Sequence, residues 1–201
     1  MVKDEFREKM NKKNIPLRQH IYLTWKCNLR CIHCYNYLPK DHDLTTSEVK
    51  NRLDQLAARG CLFLCFSGGE PLIRDDFVSI AEYAVSRDFI LAFDTNAILI
   101  TPDLAAEIKR LRFSLVKVTL FGATAATHDK ITQTPGSFEQ TLNGINALKQ
   151  KKINLMLLTT MMGENINQLG KIKSLAEDWG IKYRFSPLRP FTQKEVVSQV
   201  L

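Results

Sequence analysis

The sequence predicts an α/β fold, a six-stranded (β/α)6 partial barrel, on three observations. Short runs of strand formers alternate six times with segments of helical periodicity. The run Cys61–Phe66 is apolar throughout, as a parallel strand buried on both faces should be. The links between segments are short, which favours right-handed crossovers within one parallel sheet. Six units are too few to close an eight-fold barrel, so an open one is the natural form, with an ordinary doubly wound sheet as the structural alternative.

In order, Val2–Lys13 has the spacing of a short amphipathic helix, which Pro16 ends. Strand formers from Gln19 to Trp25 give the first strand. A helix starts at Thr45, with Glu48 in capping-box spacing and Val49, Leu53 and Leu56 at helical intervals, and Gly60 stops it. The second strand, Cys61–Phe66, runs into Ser67–Pro71. A helix over Asp75–Arg87, a strand over Phe89–Asp94 and a helix over Pro102–Arg110 follow. The fourth strand is Leu115–Phe121, and a loop containing Thr124–Pro135 leads to a helix over Ser137–Gln150. Strand five is Ile153–Met161, the next helix is Asn165–Trp179 with Gly180 beyond it, and strand six is Lys182–Ser186. The organisation is an N-terminal extension (1–19), one core domain (20–190) and the start of a C-terminal helix or tail (191–201).

At 201 residues and 45% hydrophobic, the chain suits one domain with a sizeable core. No apolar run reaches bilayer length and the N-terminus has no signal-peptide core, so the expectation is a cytoplasmic protein with no membrane partner. A formal charge of +7 suits acidic partners or a generally solvated basic surface, and no nucleic-acid-binding motif accompanies it.

The chemistry concentrates between Thr24 and Tyr35. Cys27, Cys31 and Cys34 fall within eight residues, and thiolates crowded so closely are usually held together by a soft metal centre. A four-iron cubane usually takes four thiolates; here only three are close, leaving one iron open to another ligand. Zinc, with His33 or His42 as fourth ligand, and a disulfide are the alternatives; zinc motifs commonly show a second cysteine pair, and none with the usual two-residue gap is present. Gly68 and Gly69 leave strand two without a Cβ, so backbone can approach a ligand there, and Glu70 adds a negative charge. Cys61 and Cys65, four apart, read as core fillers on one side of a strand. His128 and Asp129 diverge on a helix and read as a cap or packing pair.

Cys27-x3-Cys31-x2-Cys34 after a strand, with Gly68-Gly69-Glu70-Pro71 one strand–helix unit later, resembles the radical S-adenosylmethionine (SAM) enzymes. The stretch Val118–Phe138 looks like that of the group that usually carries a C-terminal SPASM domain and modifies peptides or proteins. The resemblance implies a partial TIM barrel, a [4Fe–4S] cluster on Cys27, Cys31 and Cys34, and SAM on the open iron. It places His33 beside the adenine, Gly68, Gly69 and Glu70 at the amino end of SAM, and Asn96 and Thr119 as further contacts. Ala97 stands where the family often has glycine. The implied reaction is reductive cleavage of SAM to a 5′-deoxyadenosyl radical that takes hydrogen from a substrate. A peptide is the first choice of substrate, a small-molecule metabolite the second, and a non-catalytic electron-transfer or sensing protein the third reading. The electron donor would be a low-potential flavodoxin or ferredoxin. No cysteine-rich SPASM region follows, so the chain reads as a minimal core, a truncated product or a subunit whose partner supplies substrate recognition.

Overall fold

The computed structural model describes residues 16–34 and 43–188. The helix expected over Val2–Lys13, His42 and the tail beyond residue 190 lie outside the described residues. Six strands, β1 (Arg18–Thr24), β2 (Phe63–Gly68), β3 (Ile90–Thr95), β4 (Leu115–Thr119), β5 (Leu155–Met161) and β6 (Lys182–Pro187), form one sheet in sequence order. Every neighbouring pair is parallel. The helices are α1 (Thr46–Ala58), α2 (Phe77–Ser86), α3 (Pro102–Arg110), α4 (Ala125–Thr132), α5 (Ser137–Gln150) and α6 (Leu169–Asp178). This is the open (β/α)6 half-barrel that the alternation predicts.

Local chemistry explains where elements begin. Thr45 caps α1 in the expected box: Glu48 N–H donates to the Thr45 hydroxyl and Thr45 N–H to the Glu48 carboxylate. Thr101 accepts from Leu104 N–H ahead of Pro102 at the first position of α3. Helices α3 and α5 keep the bounds read from sequence.

Three local readings change. The segment taken as a loop from Thr124 contains α4, whose eight residues have no strong apolar stripe and end where Gln133 adopts φ 53°. The helix expected from Asn165 opens as a 3-10 turn, Ile166–Gln168, because the Asn165 side chain is spent on Met162 N–H and the Phe121 and Thr160 carbonyls. Cys61 and Cys65 do not share a face: β2 starts only at Phe63, so Cys61 packs in the core while the Cys65 thiol donates to Asp94 Oδ1 at 3.5 Å.

The core lies between sheet and helices. Leu64, Phe66, Leu91, Phe93, Val116, Val118, Leu155 and Leu157 alternate along the strands onto the helical side. Phe93 and Phe113 meet edge to face at 4.9 Å under Phe77. Burying each such side chain contributes about 1.5–3 kcal/mol. The other strand face, with His20, Tyr22, Asp94, Lys117 and Thr119, is concave and only partly covered.

Candidate metal and cofactor site at the C-terminal rim

The rim is assembled mostly by main chain. β1 ends at buried Thr24, whose carbonyl accepts from Gly69 N–H at 2.8 Å; two residues later the Lys26 carbonyl accepts from Glu70 N–H at 2.8 Å. Gly68 sits at φ 127°, and a Cβ there would lie 2.2 Å from the Thr24 carbonyl oxygen, so only glycine lets β2 leave this close to the cysteine loop. On the loop's other side, Arg30 N–H donates to Thr132 O at 3.1 Å and Ile32 N–H to Ile131 O at 2.9 Å. The C-terminal end of α4 therefore holds the stretch on both sides of the second cysteine, with Cys31 against Phe121, Ile131 and Met162. Asn96, leaving β3, donates from Nδ2 to Asn28 Oδ1 at 2.7 Å, inside the same loop. The exits of β1, β2 and β3 thus converge.

Three side chains that no motif marks, Asp43, Arg74 and Thr141, hold this arrangement. Asp43 accepts from Trp25 N–H at 2.8 Å and from the Thr24 hydroxyl at 2.6 Å. Arg74, nearly buried, donates from Nη1 to the Leu23 carbonyl at 2.9 Å and the Leu44 carbonyl at 2.6 Å, and grips Asp76 through Nε and Nη2. Thr141 donates from α5 to the Asn96 carbonyl at 2.9 Å. Apart from the Arg74–Asp76 pair, each link spans 18 residues or more, too far for local spacing to reveal.

Electrostatics fit a metal cluster and disfavour free thiolates. Burial, then the neighbouring thiols Cys34 and Cys27, push the Cys31 thiol up to about 12; burial and nearby Glu70 and Cys34 push Cys27 to about 11. Crowded soft donors that cannot ionise alone but ionise on metal are suited to a cluster. His33 meets Phe121 edge to face at 4.7 Å, and its buried Nδ1 has no hydrogen-bond partner among the described residues, a polar atom left for a ligand.

Glu70 is the least accessible site residue, 1% exposed. Its carboxylate faces inward, accepting from Leu72 N–H at 3.2 Å, the Thr95 hydroxyl at 2.9 Å and Asn96 N–H at 2.7 Å. Burial raises its pKa to about 7 against those three donors. It knits the exits of β2 and β3. Thr119 stands on the concave face of β4, in register with Leu158. His128 Nδ1 accepts from Phe121 N–H at 3.2 Å, and burial drops its pKa to about 4. Asp129 accepts from Gly136 and Phe138 N–H and the Ser137 hydroxyl, so it fastens the start of α5. The pair packs and caps, as its adjacency predicts.

A half-barrel carrying three clustered thiols beside a glycine-lined strand exit defines a class: α/β proteins with a metal-cluster loop over an open sheet. The model of the Radical SAM superfamily matches residues 21–176, and the chain belongs to that superfamily, whose members use a [4Fe–4S] cluster and SAM. The AdoMet-dependent heme synthase of Methanosarcina barkeri is 35% identical over 161 residues, covering 79% of this chain and 46% of the relative. Mycofactocin maturase MftC of Mycolicibacterium smegmatis is 30% identical over 171 residues, 84% of this chain and 43% of the relative. The chain thus spans about half the length of the curated relatives it matches. Among solved structures, Streptococcus suis SuiB bound to S-adenosylmethionine superposes with a TM-score of 0.79 at 16% identity, over 92% of this chain and 44% of that one. Native anSMEcpe with bound AdoMet gives 0.74 at 17%, over 87% and 52%. Both likenesses concern the fold. No helix among the described residues is long and apolar enough to cross a membrane.

Proposed function

We propose that the chain is the catalytic core of a radical SAM enzyme. Cys27, Cys31 and Cys34 ligate a [4Fe–4S] cluster, and the open iron takes SAM. Gly68 and Gly69, with Glu70 behind them, hold the amino end; His33 borders the adenine; Asn96 and Thr119 make further contacts. When bound, the pair supplies a 5′-deoxyadenosyl radical that takes hydrogen from the substrate. This chain's residues orient and exclude: the rim hydrogen bonds fix the cysteine loop against the β2 exit, and the concave face receives the substrate away from water. The observation that carries this reading is the strapping of the three-cysteine loop onto Gly69, Glu70 and Asn96.

The substrate reading is a peptide, with an electron donor of flavodoxin or ferredoxin type and a substrate-recognising region that another segment or subunit supplies. Its support is likeness: one relative is a maturase, and SuiB and anSMEcpe have been crystallised with a precursor peptide and a Cp18Cys peptide. A small-molecule substrate is the second reading, favoured by the heme synthase at 35% identity. A non-catalytic cluster would need a fourth thiolate, and Cys61 and Cys65 are both buried, one in the core and one on Asp94.

The test is anaerobic reconstitution with iron and sulfide, followed by dithionite and SAM. The expected result is a brown protein whose spectrum responds to SAM and which forms 5′-deoxyadenosine, with Cys31→Ala losing the cluster. Stoichiometric zinc, or an iron centre indifferent to SAM, would overturn the reading.

A further inference from the structure

The concave face of the sheet is not lined as barrel interiors usually are, by layers of branched apolar side chains. Strand alternation puts five charged residues on it: Arg18 on β1, Asp94 on β3, Lys117 on β4, and Lys182 and Arg184 on β6. Four are cations and one is a carboxylate. The partition is secure because the alternate residues Val116, Val118, Tyr183 and Phe185 pack into the core on the other side.

Asp94 is committed. Its carboxylate is bonded to the Lys117 ammonium beside it in register, and receives the Cys65 thiol. His20, Cys65 and Asp94 do bring donor atoms within 4.8 Å of one another, but the ammonium on Asp94 already supplies the positive charge that a metal ion would bring. Lys182 and Arg184 have no carboxylate partner among the described residues, and Arg18 only lies over the Phe63 ring, 5.5 Å from its centre. Lys182 shares a register row with Asp94, Lys117 and Met156; Arg184 shares the next row, toward the rim, with Leu158 and Thr119. Two strand spacings set Lys117 and Lys182, and likewise Thr119 and Arg184, about 10 Å apart.

We infer that this face is an anion-reading cradle, and that the substrate presents carboxylates to Arg184 and Lys182 while Lys117, held by Asp94, faces it from the opposite side. The inference rests on the enzyme reading above for what happens to the substrate, but the cradle itself rests only on the face's charges. Charged residues on an edge strand, lysine especially, also deter edge-to-edge pairing, but that role does not need them aligned with an interior cation, whereas Lys182 shares its row with Lys117 and Arg184 stands in the next row on the same face. Guanidinium and carboxylate match as a two-point hydrogen-bonded pair, so Arg184 suits a carboxylate better than a point cation would.

The experiment is a binding titration on the full chain, reconstituted with cluster and SAM. The probes are a fluorescent tetraglutamate peptide, its tetraglutamine counterpart, and citrate as a small competitor. Tetraglutamate should bind at least roughly tenfold tighter than tetraglutamine, and Arg184→Gln and Lys182→Gln should each weaken it by roughly tenfold. Lys173→Gln, on exposed α6, should leave it unchanged. Asp94→Asn, which frees Lys117, should tighten it, a change that damage to the fold would not produce. Displacement by citrate at concentrations like those of the peptide assigns the cradle to small carboxylates, and weaker displacement to acidic peptides. Equal binding of the glutamate and glutamine probes, or loss equal in Lys173→Gln, overturns the inference. Failure to assemble a cluster strikes the enzyme reading instead, and the same titration on cluster-free protein still reads the cradle.

Discussion

Replacing Gly144 by alanine tests how α5 fixes the rim. Gly144 lies on the buried side of α5, where a Cβ would stand 2.0 Å from the Ala97 carbonyl oxygen and 3.0 Å from the Ala97 Cβ. Both neighbours belong to the turn that presents Asn96, so neither can swing aside as the end of a flexible side chain would. The helix has to back away, and Thr141, one turn earlier, has to loosen its bond to the Asn96 carbonyl. Overpacking costs about 1–3 kcal/mol, and a clash with backbone belongs at the upper end. Adding about 1 kcal/mol for the strained hydrogen bond, and subtracting about 1 kcal/mol for the better helix propensity of alanine, leaves about 3 kcal/mol. For a chain this size that lowers Tm by about 6–12 °C. Differential scanning fluorimetry of the cluster-free protein, paired with Gly170→Ala in α6, where an added Cβ meets nothing within 4 Å, isolates the contact. The control, with the propensity gain and no clash, should hold or gain up to about 1 kcal/mol. A Gly144→Ala Tm within 2 °C of the parent would refute the reasoning.

Asp129→Ala removes three hydrogen bonds at the start of α5 and should cost about 2–3 kcal/mol, read by urea unfolding at pH 7. Burial opposes but those donors hold its carboxyl below the usual range, so the parent's advantage over that variant is full above about pH 4 and shrinks as pH falls further. Glu70 has the opposite sign: with a folded pKa near 7, above the ordinary 4.5, its favourable contribution is complete below about pH 4.5 and lost as pH rises through 7. The swing is about 3 kcal/mol, and Glu70→Gln should flatten the slope of stability between pH 5 and pH 8 whatever its constant offset. Arg74→Ala, which frees the Leu23 and Leu44 carbonyls, should lower the iron bound per chain after reconstitution, while Arg59→Ala on the surface should not.

What the sequence revealed and what it hid divide by range. Thr45 with Glu48, Thr101 with Pro102 and the apolar run through Phe66 announce their elements because cap, spacing and period act within a few residues. Cys27, Cys31, Cys34, Gly68 and Gly69 announce the rim for the same reason. Asp43 and Arg74 are ordinary loop residues until folding brings them to β1. Asp94 and Lys117 were hidden differently: a charge alternating with apolar neighbours on a strand looks like a solvent face, and only an open barrel turns that face into an interior. Helix α4 escaped because its hold on the cysteine loop is main chain, through Ile131 and Thr132 carbonyls, which leaves no side-chain signature.

Ala97 shows how such a rim tolerates strain. It takes φ 63°, a left-handed conformation that costs a residue with a Cβ about 1–2 kcal/mol, where glycine would pay little. The turn is fixed regardless, since Ala97 N–H donates to Thr95 Oγ1, Ile98 N–H to Asn96 Oδ1, and Thr141 to the Asn96 carbonyl. Thr95 in turn donates to Glu70, so the strained turn and the buried carboxylate are one network. The methyl of Ala97 is fully buried, and losing it forfeits about 0.8 kcal/mol, with a further 0.5–1 kcal/mol or so for the greater freedom of glycine when unfolded. These losses offset the relief of strain almost completely. Ala97→Gly should therefore shift Tm by no more than about 2 °C in either direction, because the network holds the turn whichever residue occupies it. A rise of 5 °C or more would mean that the turn is carried as uncompensated strain and that the hydrogen bonds around Asn96 do not fix it.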